Sequence, residues 1–454
     1  MVKPQKRISA SYSVKGIGLK TLMHYKVFRE TYNFLKKSQW WNKEQIEKYQ
    51  MQELCKLLIH AYDNVPYYTK IFDKLGLKPK DIKLISDLNK IPFLTKEITK
   101  ENLEDLKAIN YTKSKFEQLT TGGSTGQPLV FYVEKDVSLS KKMAFAKLWM
   151  DWTNRSFFDK CVYITGEDIP YKFKLFGRNL ILSSFFMNEE YLPIFIEKIR
   201  KLKPKHILGY PSAITNLAIY MKKNNLSSFP NVKAIVCLAE TLNEWQRNLL
   251  EEFFQCRVYN QYGLLESVAL GGTCKYSNNF HMFPEFGIVE LIGKDGKLVT
   301  KEGEMGEIVA TSFISYIFPF IRYKTGDLGI YSSKKCKCGR NYPLLSSIEG
   351  RLQEFLVSRT NKLVNLTGAY GLIVKSSLNV IECQLYQETP GEIVINIVKG
   401  ENYSDSDTKF ILENFQKKLG DGFSFSVSFV DHIPLTPRGK YKFLIQRIPI
   451  NFMQ

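Results

Sequence analysis

The ten positions Leu119–Pro128 hold three glycines and four hydroxyl side chains. A stretch of that kind forms a loop whose backbone N–H groups and hydroxyls can wrap a polyphosphate. It is not a Walker A loop, because the Gly-Lys-Ser/Thr ending is missing, and read alone it is equally a polar surface turn. Other chemistry-bearing segments follow in order. Tyr262-Gly-Leu-Leu-Glu266 comes after the strand-like run RVYN, so Glu266 sits just past a strand end, where open α/β sheets bind ligands. Arg322-Tyr-Lys-Thr-Gly-Asp327 sets a carboxylate behind a tight Thr-Gly turn, suited to gripping the vicinal hydroxyls of a ribose. Gly350-Arg351 opens the last part of the chain, and Pro437-Arg-Gly-Lys440 places a lysine on a glycine-containing loop. Each segment alone reads as a surface acid, a turn or a hairpin. Together, in this order, they point to a nucleotide site.

A second constellation is Cys274 and His281, with six residues between them, followed by Cys336-Lys-Cys338-Gly339-Arg340. Three thiolates and one imidazole suit a closed tetrahedral zinc site, structural because four protein ligands leave no open position. The glycine lets backbone N–H groups turn toward the sulfurs. Buried free thiols are the alternative. Cys55, Cys161, Cys237, Cys256 and Cys383 sit in apolar runs and read as core residues. His60, His206 and His432 read as structural.

The elements that must position these groups are legible from periodicity. In EQIEKYQMQELCKLLIHAYDN, apolar residues recur at mixed steps of three and four, which predicts an amphipathic helix ended at Val65-Pro66. Between 160 and 270, short runs (CVYIT, HILGY, AIVCLAE, RVYNQYG) alternate with helical stretches, which predicts a mostly parallel sheet covered by helices. From about 285 to 330 strand-like segments dominate. After Gly350 comes a smaller α+β unit: ECQLYQ, EIVINIV, a helix near 406–419, then FSFSVSFV. The expected organisation is a large α/β body of several subdomains over 1–350 and a small mobile α+β domain over 351–454.

At 454 residues, with 44% hydrophobic and 24% charged side chains, the chain can build a real core and is neither disordered nor fibrous. No window approaches ~18 consecutive apolar residues, so no membrane-spanning helix is expected. The start, MVKPQKRISASYSVKG, has no apolar core of a secretory signal. Thinly spread cysteines fit a reducing cytoplasm. The net charge is +19, and residues 1–37 contain nine basic side chains against one acid, Glu30. That arm either approaches an anionic membrane or reflects a generally lysine-rich surface.

With these motifs in hand, the sequence resembles the adenylate-forming superfamily of acyl-CoA synthetases, luciferases and nonribosomal adenylation domains. Within it the likeness is to the phenylacetate–CoA ligase branch and its capsular polysaccharide biosynthesis relatives. It covers nearly the whole chain and includes His60-Ala-Tyr-Asp-Asn-Val-Pro-Tyr-Tyr68, Leu208-Gly-Tyr-Pro-Ser212, Ala239-Glu-Thr-Leu242 and Arg438-Gly-Lys-Tyr-Lys-Phe443. The resemblance implies that Thr120, Thr121, Gly122, Gly123, Ser124, Thr125 and Gly126 hold the ATP β- and γ-phosphates. Glu240, Tyr262 and Gly263 join the nucleotide-binding set. Glu266 binds magnesium, Asp327 the ribose, and Arg351 the nucleotide across the domain boundary. Lys440 bridges the attacking carboxylate and the α-phosphate. Similar cysteines occur in parts of the branch. The chain departs from the family pattern at Gln127, Leu265 and Gln353, the last followed at once by Glu354.

The implied reaction converts ATP and a small carboxylic acid to an acyl-adenylate and pyrophosphate. The acyl group then passes to an acceptor, either a sugar or polysaccharide precursor or CoA. A non-catalytic nucleotide-binding descendant is the third reading, and no nucleic acid partner is expected. The setting is cytoplasmic, with peripheral contact to the inner face of an anionic membrane through residues 1–37.

Overall fold

The computed structural model describes residues 21–121, 128–366, 379–436, 439–450 and 452. Gly122, Gly123, Ser124, Thr125, Gly126 and Gln127 lie outside the described residues, as do Pro437, Arg438 and the first twenty residues of the basic arm. The chain folds as two compact units.

The first unit contains the described residues 21–157 and Tyr259–Ile348. Its helix Lys43–Asn64 starts on a reciprocal capping box. Asn42 Oδ1 accepts from Gln45 N–H at 2.9 Å, and Gln45 Oε1 accepts from Asn42 N–H at 3.0 Å. The expected apolar stripe is buried through Ile46, Leu54, Leu57, Leu58 and Ala61. The break at Val65 is a single residue, because Pro66 opens the next helix, Pro66–Lys74, at the position where its missing N–H costs nothing. These helices pack with Phe131, Ile308, Phe318 and Phe320 in one core. The strands beneath them are antiparallel: Gly287–Ile292 pairs Met305–Ser312, which pairs Tyr323–Ser332. Ser277–Met282 pairs both Leu270–Cys274 and the start of Leu344–Arg351. A separate hairpin, Phe116–Thr120 against Val130–Glu134, flanks the glycine-rich loop.

The second unit contains Phe158–Val258 and Glu349–Gln454. Cys161–Thr165 pairs in parallel with both Asn179–Ser183 and His206–Gly209, and His206–Gly209 pairs in parallel with Ala234–Leu238. Helices Leu192–Leu202, Pro211–Lys223 and Glu244–Phe254 bury their apolar faces on this sheet. The predicted alternation is there, with two strands that the pattern did not single out, Tyr171–Lys174 and Asn179–Ser183. The C-terminal part has its own core, from Leu356 through Cys383, Ile395 and Phe415 to Leu444. Its sheet runs Ser424–Phe429, Glu392–Lys399, Val380–Gln387, Leu444–Gln446, with the helix Asp405–Leu419 beside it. All four segments expected there form. No described helix is long and apolar enough to cross a membrane.

Candidate active site and metal cluster

In the second unit, Lys440 is presented by a turn closed on itself. Thr436 N–H donates to Lys440 O at 2.9 Å, and Lys440 N–H donates to Thr436 Oγ1 at 3.1 Å. Between them Gly439 has φ of 70°, a left-handed backbone that glycine adopts without strain. The glycine is needed for space as well: a Cβ there would lie 2.4 Å from Ser184 Oγ and 2.9 Å from Gly166 Cα. Ser184 Oγ donates to Gly439 O at 2.6 Å and fixes the turn. The Lys440 ammonium then donates to Ala239 O at 2.6 Å, 5.7 Å from the Tyr210 ring centre. The neighbouring Glu240 accepts from Ser212 N–H at 3.2 Å. Burial pushes the Glu240 carboxyl upward, and the Ser212 hydrogen bonds and the Lys440 charge act against that. Its Oε1 is buried with no hydrogen-bond partner among the described residues, so a donor on a ligand would satisfy it.

Arg351 sits at the end of the strand Leu344–Arg351. Its N–H donates to Glu354 Oε2 at 3.3 Å, and Thr241 Oγ1 donates to the same oxygen at 3.3 Å. Glu354, not Gln353, therefore links the segment after Gly350 to the Ala239–Thr241 turn.

In the first unit, Tyr262 and Asp327 come together: the Tyr262 hydroxyl donates to Asp327 Oδ2 at 2.7 Å. The Thr-Gly step before Asp327 is not the expected turn between elements. It is a bulge inside the strand Tyr323–Ser332, where the register shifts between Glu307 and Val309 and Gly326 takes φ of 73°. The bulge re-aims the next side chain, as bulges near sites commonly do. Thr325 Oγ1 donates to Ile308 O and accepts from Asp327 N–H, which pins it. Gly263 ends the strand Arg257–Gly263, and Glu266 stands in the turn that follows. That turn is held because Ser312 Oγ donates to Ser267 O at 2.6 Å. Thr120 ends the strand Phe116–Thr120, and Thr121 exchanges hydrogen bonds with Leu129 at 2.8 Å.

Lys142 was not legible from the sequence. It lies on the helix Val137–Trp152, where burial lowers its ammonium to about 8 against the opposing pull of the Glu266 and Glu117 carboxylates. A lysine within a run of helix formers gives no signal of such a neighbourhood.

The cysteine and histidine constellation does assemble. The ligand atoms of Cys274, His281, Cys336 and Cys338 all lie within 4.8 Å of one another. Cys274 Sγ is 3.5 Å from Cys336 Sγ, and Cys338 Sγ is 3.2 Å from His281 Nε2. The Cys274–Cys336 separation matches the edge of a tetrahedron about zinc, ~3.5–3.8 Å for bonds of ~2.0–2.3 Å, and is far too long for a disulfide. The antiparallel strands Leu270–Cys274 and Ser277–Met282 present the first pair. The second pair comes from a knuckle in which Cys338 N–H points at Cys336 Sγ, while Gly339 N–H goes to Cys336 O. Hydrogen bonds from the Cys274 thiol and from His281 hold Cys338 well below the usual thiol range. Among the other thiols, Cys161, Cys237 and Cys383 are buried as expected, while Cys55 and Cys256 are half-buried.

Comparison with known proteins follows the same division. Residues 356–447 match the family model "CapK C-terminal domain". The chain is 29% identical over 408 residues to "Protein CapK" of Staphylococcus aureus, covering 85% of this chain and 86% of that protein. It is 25% identical over 331 residues to phenylacetate-coenzyme A ligase of Thermus thermophilus, covering 70% and 73%. Among solved structures it matches 2-hydroxyisobutyryl-CoA ligase in the postadenylation state, with TM-score 0.71, 16% identity and 90% of each chain covered. The chain thus has the fold of the adenylate-forming CoA ligases, ends in a CapK-type C-terminal domain, and is similar to both the phenylacetate–CoA ligases and CapK.

Proposed function

We propose that this protein uses ATP to activate a small carboxylic acid as an acyl-adenylate, releasing pyrophosphate, and then transfers the acyl group to an acceptor. The observation that carries the reading is the Lys440 turn, seated on the Ala239–Glu240 segment through a glycine that closes against Ser184. Attack of a carboxylate on the α-phosphorus brings anions together, so a fixed ammonium stabilises charge that develops only in the transition state. In this reading the segment from Thr120 to Gly126 holds the terminal phosphates, and Asp327, oriented by Tyr262, takes the ribose hydroxyls. Glu266 would hold magnesium on the phosphates, and Lys142 beside it supplies a charge where the loop has Gln127. Glu240 and Gly263 belong to the nucleotide-binding set in this reading. Arg351 contacts the nucleotide from the start of a domain, 351–454, that turns between half-reactions about 351–354. The Cys274, His281, Cys336 and Cys338 group fits structural zinc.

The acceptor reading that the CapK likeness supports is a sugar or polysaccharide precursor. The phenylacetate-coenzyme A ligase likeness supports CoA as the second reading. A non-catalytic descendant is disfavoured by the intact Lys440, Asp327 and Glu266. ATP consumption and free thiols fit the cytoplasm. ATP–pyrophosphate exchange over a panel of acids tests the first step, and adding CoA or a nucleotide sugar then identifies the acceptor. Absence of acid-dependent exchange with every acid would sink the enzymatic reading.

A further inference from the structure

The second unit carries a surface feature that acid activation does not use. Its sheet ends at the strand Tyr171–Lys174, which returns antiparallel into Asn179–Ser183 through the tip Leu175–Arg178. Tyr171 and Phe173 are 37% and 50% exposed, and Phe176 at the tip is 107% exposed. Tyr171 and Phe173 share one face of the strand, opposite Leu182 and Leu180. Those leucines are buried in the core with the helix Leu192–Leu202. The core face therefore runs on past its covering helix as aromatic rings in the open. Ile194 on that helix and Phe158 beside the hairpin add to it, at 38% and 71% exposed. Contiguous apolar exposure rimmed by polar groups marks an interaction site.

The rim is basic. No acidic residue occurs between Ile169 and Asn188, while Lys172, Lys174 and Arg178 flank the tip. The Lys198 ammonium lies 3.9 Å from the Tyr171 ring centre, and the Arg178 guanidinium lies 5.7 Å from that of Phe158. Glu167 and Glu197 pair with Lys172 and Lys201, so the cations set against the exposed rings are Lys198 and Arg178. The tip backbone is also unusual. Leu175, Phe176 and Gly177 all have positive φ, at 51°, 53° and 80°. Bulky side chains adopt that region rarely, and the full exposure of Phe176 means that packing does not call for a ring there.

We propose that this hairpin is a shallow membrane contact: Phe173 and Phe176 enter the headgroup–acyl boundary while Arg178 and Lys198 meet anionic phospholipid headgroups. Aromatic and apolar side chains interleaved with cations are what such contacts use, and charge complementarity selects an anionic leaflet. A second copy of the chain suits the feature less well. The strand offers only four residues for edge pairing, and cations on both copies would repel. The inference stands whether or not the chain forms acyl-adenylates.

The test uses the full chain with vesicles of phosphatidylcholine alone and of phosphatidylcholine mixed with phosphatidylglycerol, at low salt. Wild type is expected to sediment with the mixed vesicles only, and Phe173→Ser with Phe176→Ser together to reduce the bound fraction about tenfold. In F176W, the added indole emission, taken as a difference from wild type, should shift to the blue and be quenched by brominated acyl chains. Equal sedimentation of wild type and the double variant, with the indole unquenched, would assign binding to the basic N-terminal arm and overturn the proposal. So would a dimer, seen by light scattering, that the double variant breaks without any vesicle binding. If the double variant fails to fold, F176W still decides the matter, since its site is fully exposed.

Discussion

The Cys/His cluster and the Lys440 turn both hold reactive groups, but by opposite means. At the cluster, two antiparallel strands and a knuckle bring four ligand atoms together, and Cys274 and His281 are buried. Its surroundings are equally dense. The Arg340 guanidinium lies 4.7 Å from the Trp40 ring centre and 4.1 Å from that of Trp152, and Gln39 Oε1 accepts from both Arg340 Nε and Trp152 Nε1 at 3.0 Å. The Lys440 turn is held by polar contacts that include one from Ser184, one to Ala239 and those inside the turn. The Tyr210 and Phe185 rings lie near that seat. Dense burial makes a fixed feature, whereas a small polar seat can be left and regained at low cost. A charge needed for one half-reaction only is better held in the second way.

The largest effect expected is chemical. Lys440→Ala should lower acid-dependent ATP–pyrophosphate exchange by ~10²–10³ while nucleotide binding changes little, because the charge acts mainly in the transition state. Unchanged exchange would break the comparison on the side of the turn. Next is the cluster. Protein prepared without chelator should carry about one equivalent of zinc, and Cys338→Ser should lose it and melt ~5 °C or more lower. Metal analysis that finds none in wild type would falsify the zinc assignment. Gly439→Ala ranks third. Its Cβ would meet Ser184 Oγ at 2.4 Å and Gly166 Cα at 2.9 Å, on a backbone with φ of 70°. Exchange should fall about tenfold, from ~1–3 kcal/mol of backbone strain and lost seating. Acyl transfer from supplied acyl-adenylate should stay near wild type, so an equal loss in both steps would mean that the turn does not move.

How much of this was legible depended on whether the signal was local. The stripe through Leu54 and Leu58 and the four C-terminal segments follow from short-range periodicity, and they form as read. The cluster was legible because cysteine and histidine at metal spacing are rare by chance. The Thr-Gly step before Asp327 was misread as a turn because a bulge depends on the partner strand, where Glu307 and Val309 set the shift. Asn179–Ser183 gives no clear strand signal because a three-residue apolar run suits a buried helix as well as a strand. Lys142 and the Ser184 seat could not be read at all. Their partners, Glu266 and Gly439, lie more than a hundred residues away, and neither lysine nor serine advertises a distant neighbour.

The smallest effect concerns Glu285, which belongs to the densely built side of the comparison. It is 3% exposed, accepts from Ser38 Oγ at 2.5 Å and from the Tyr342 hydroxyl at 2.9 Å, and its Oε2 has no hydrogen-bond partner among the described residues. Burial pushes its carboxyl up to about 7, against the pull of those hydrogen bonds. An acid whose folded pKa is raised binds more protons when folded than when unfolded between ~4.3 and that value. Its contribution is therefore fully present below the unfolded pKa and is lost as pH rises through about 7. Melting temperature should accordingly decline from mildly acidic to mildly basic pH. Glu285→Gln keeps an acceptor for Ser38 and Tyr342 but removes the titration. It should flatten that slope and stabilise the protein at pH ~8 by ~1–2 kcal/mol. The turn should not respond, so exchange activity relative to folded protein should match wild type at each pH. A slope that survives the substitution would mean that other groups set it, and that burial around the cluster is less complete than the Ser38, Tyr342 and Arg340 contacts indicate.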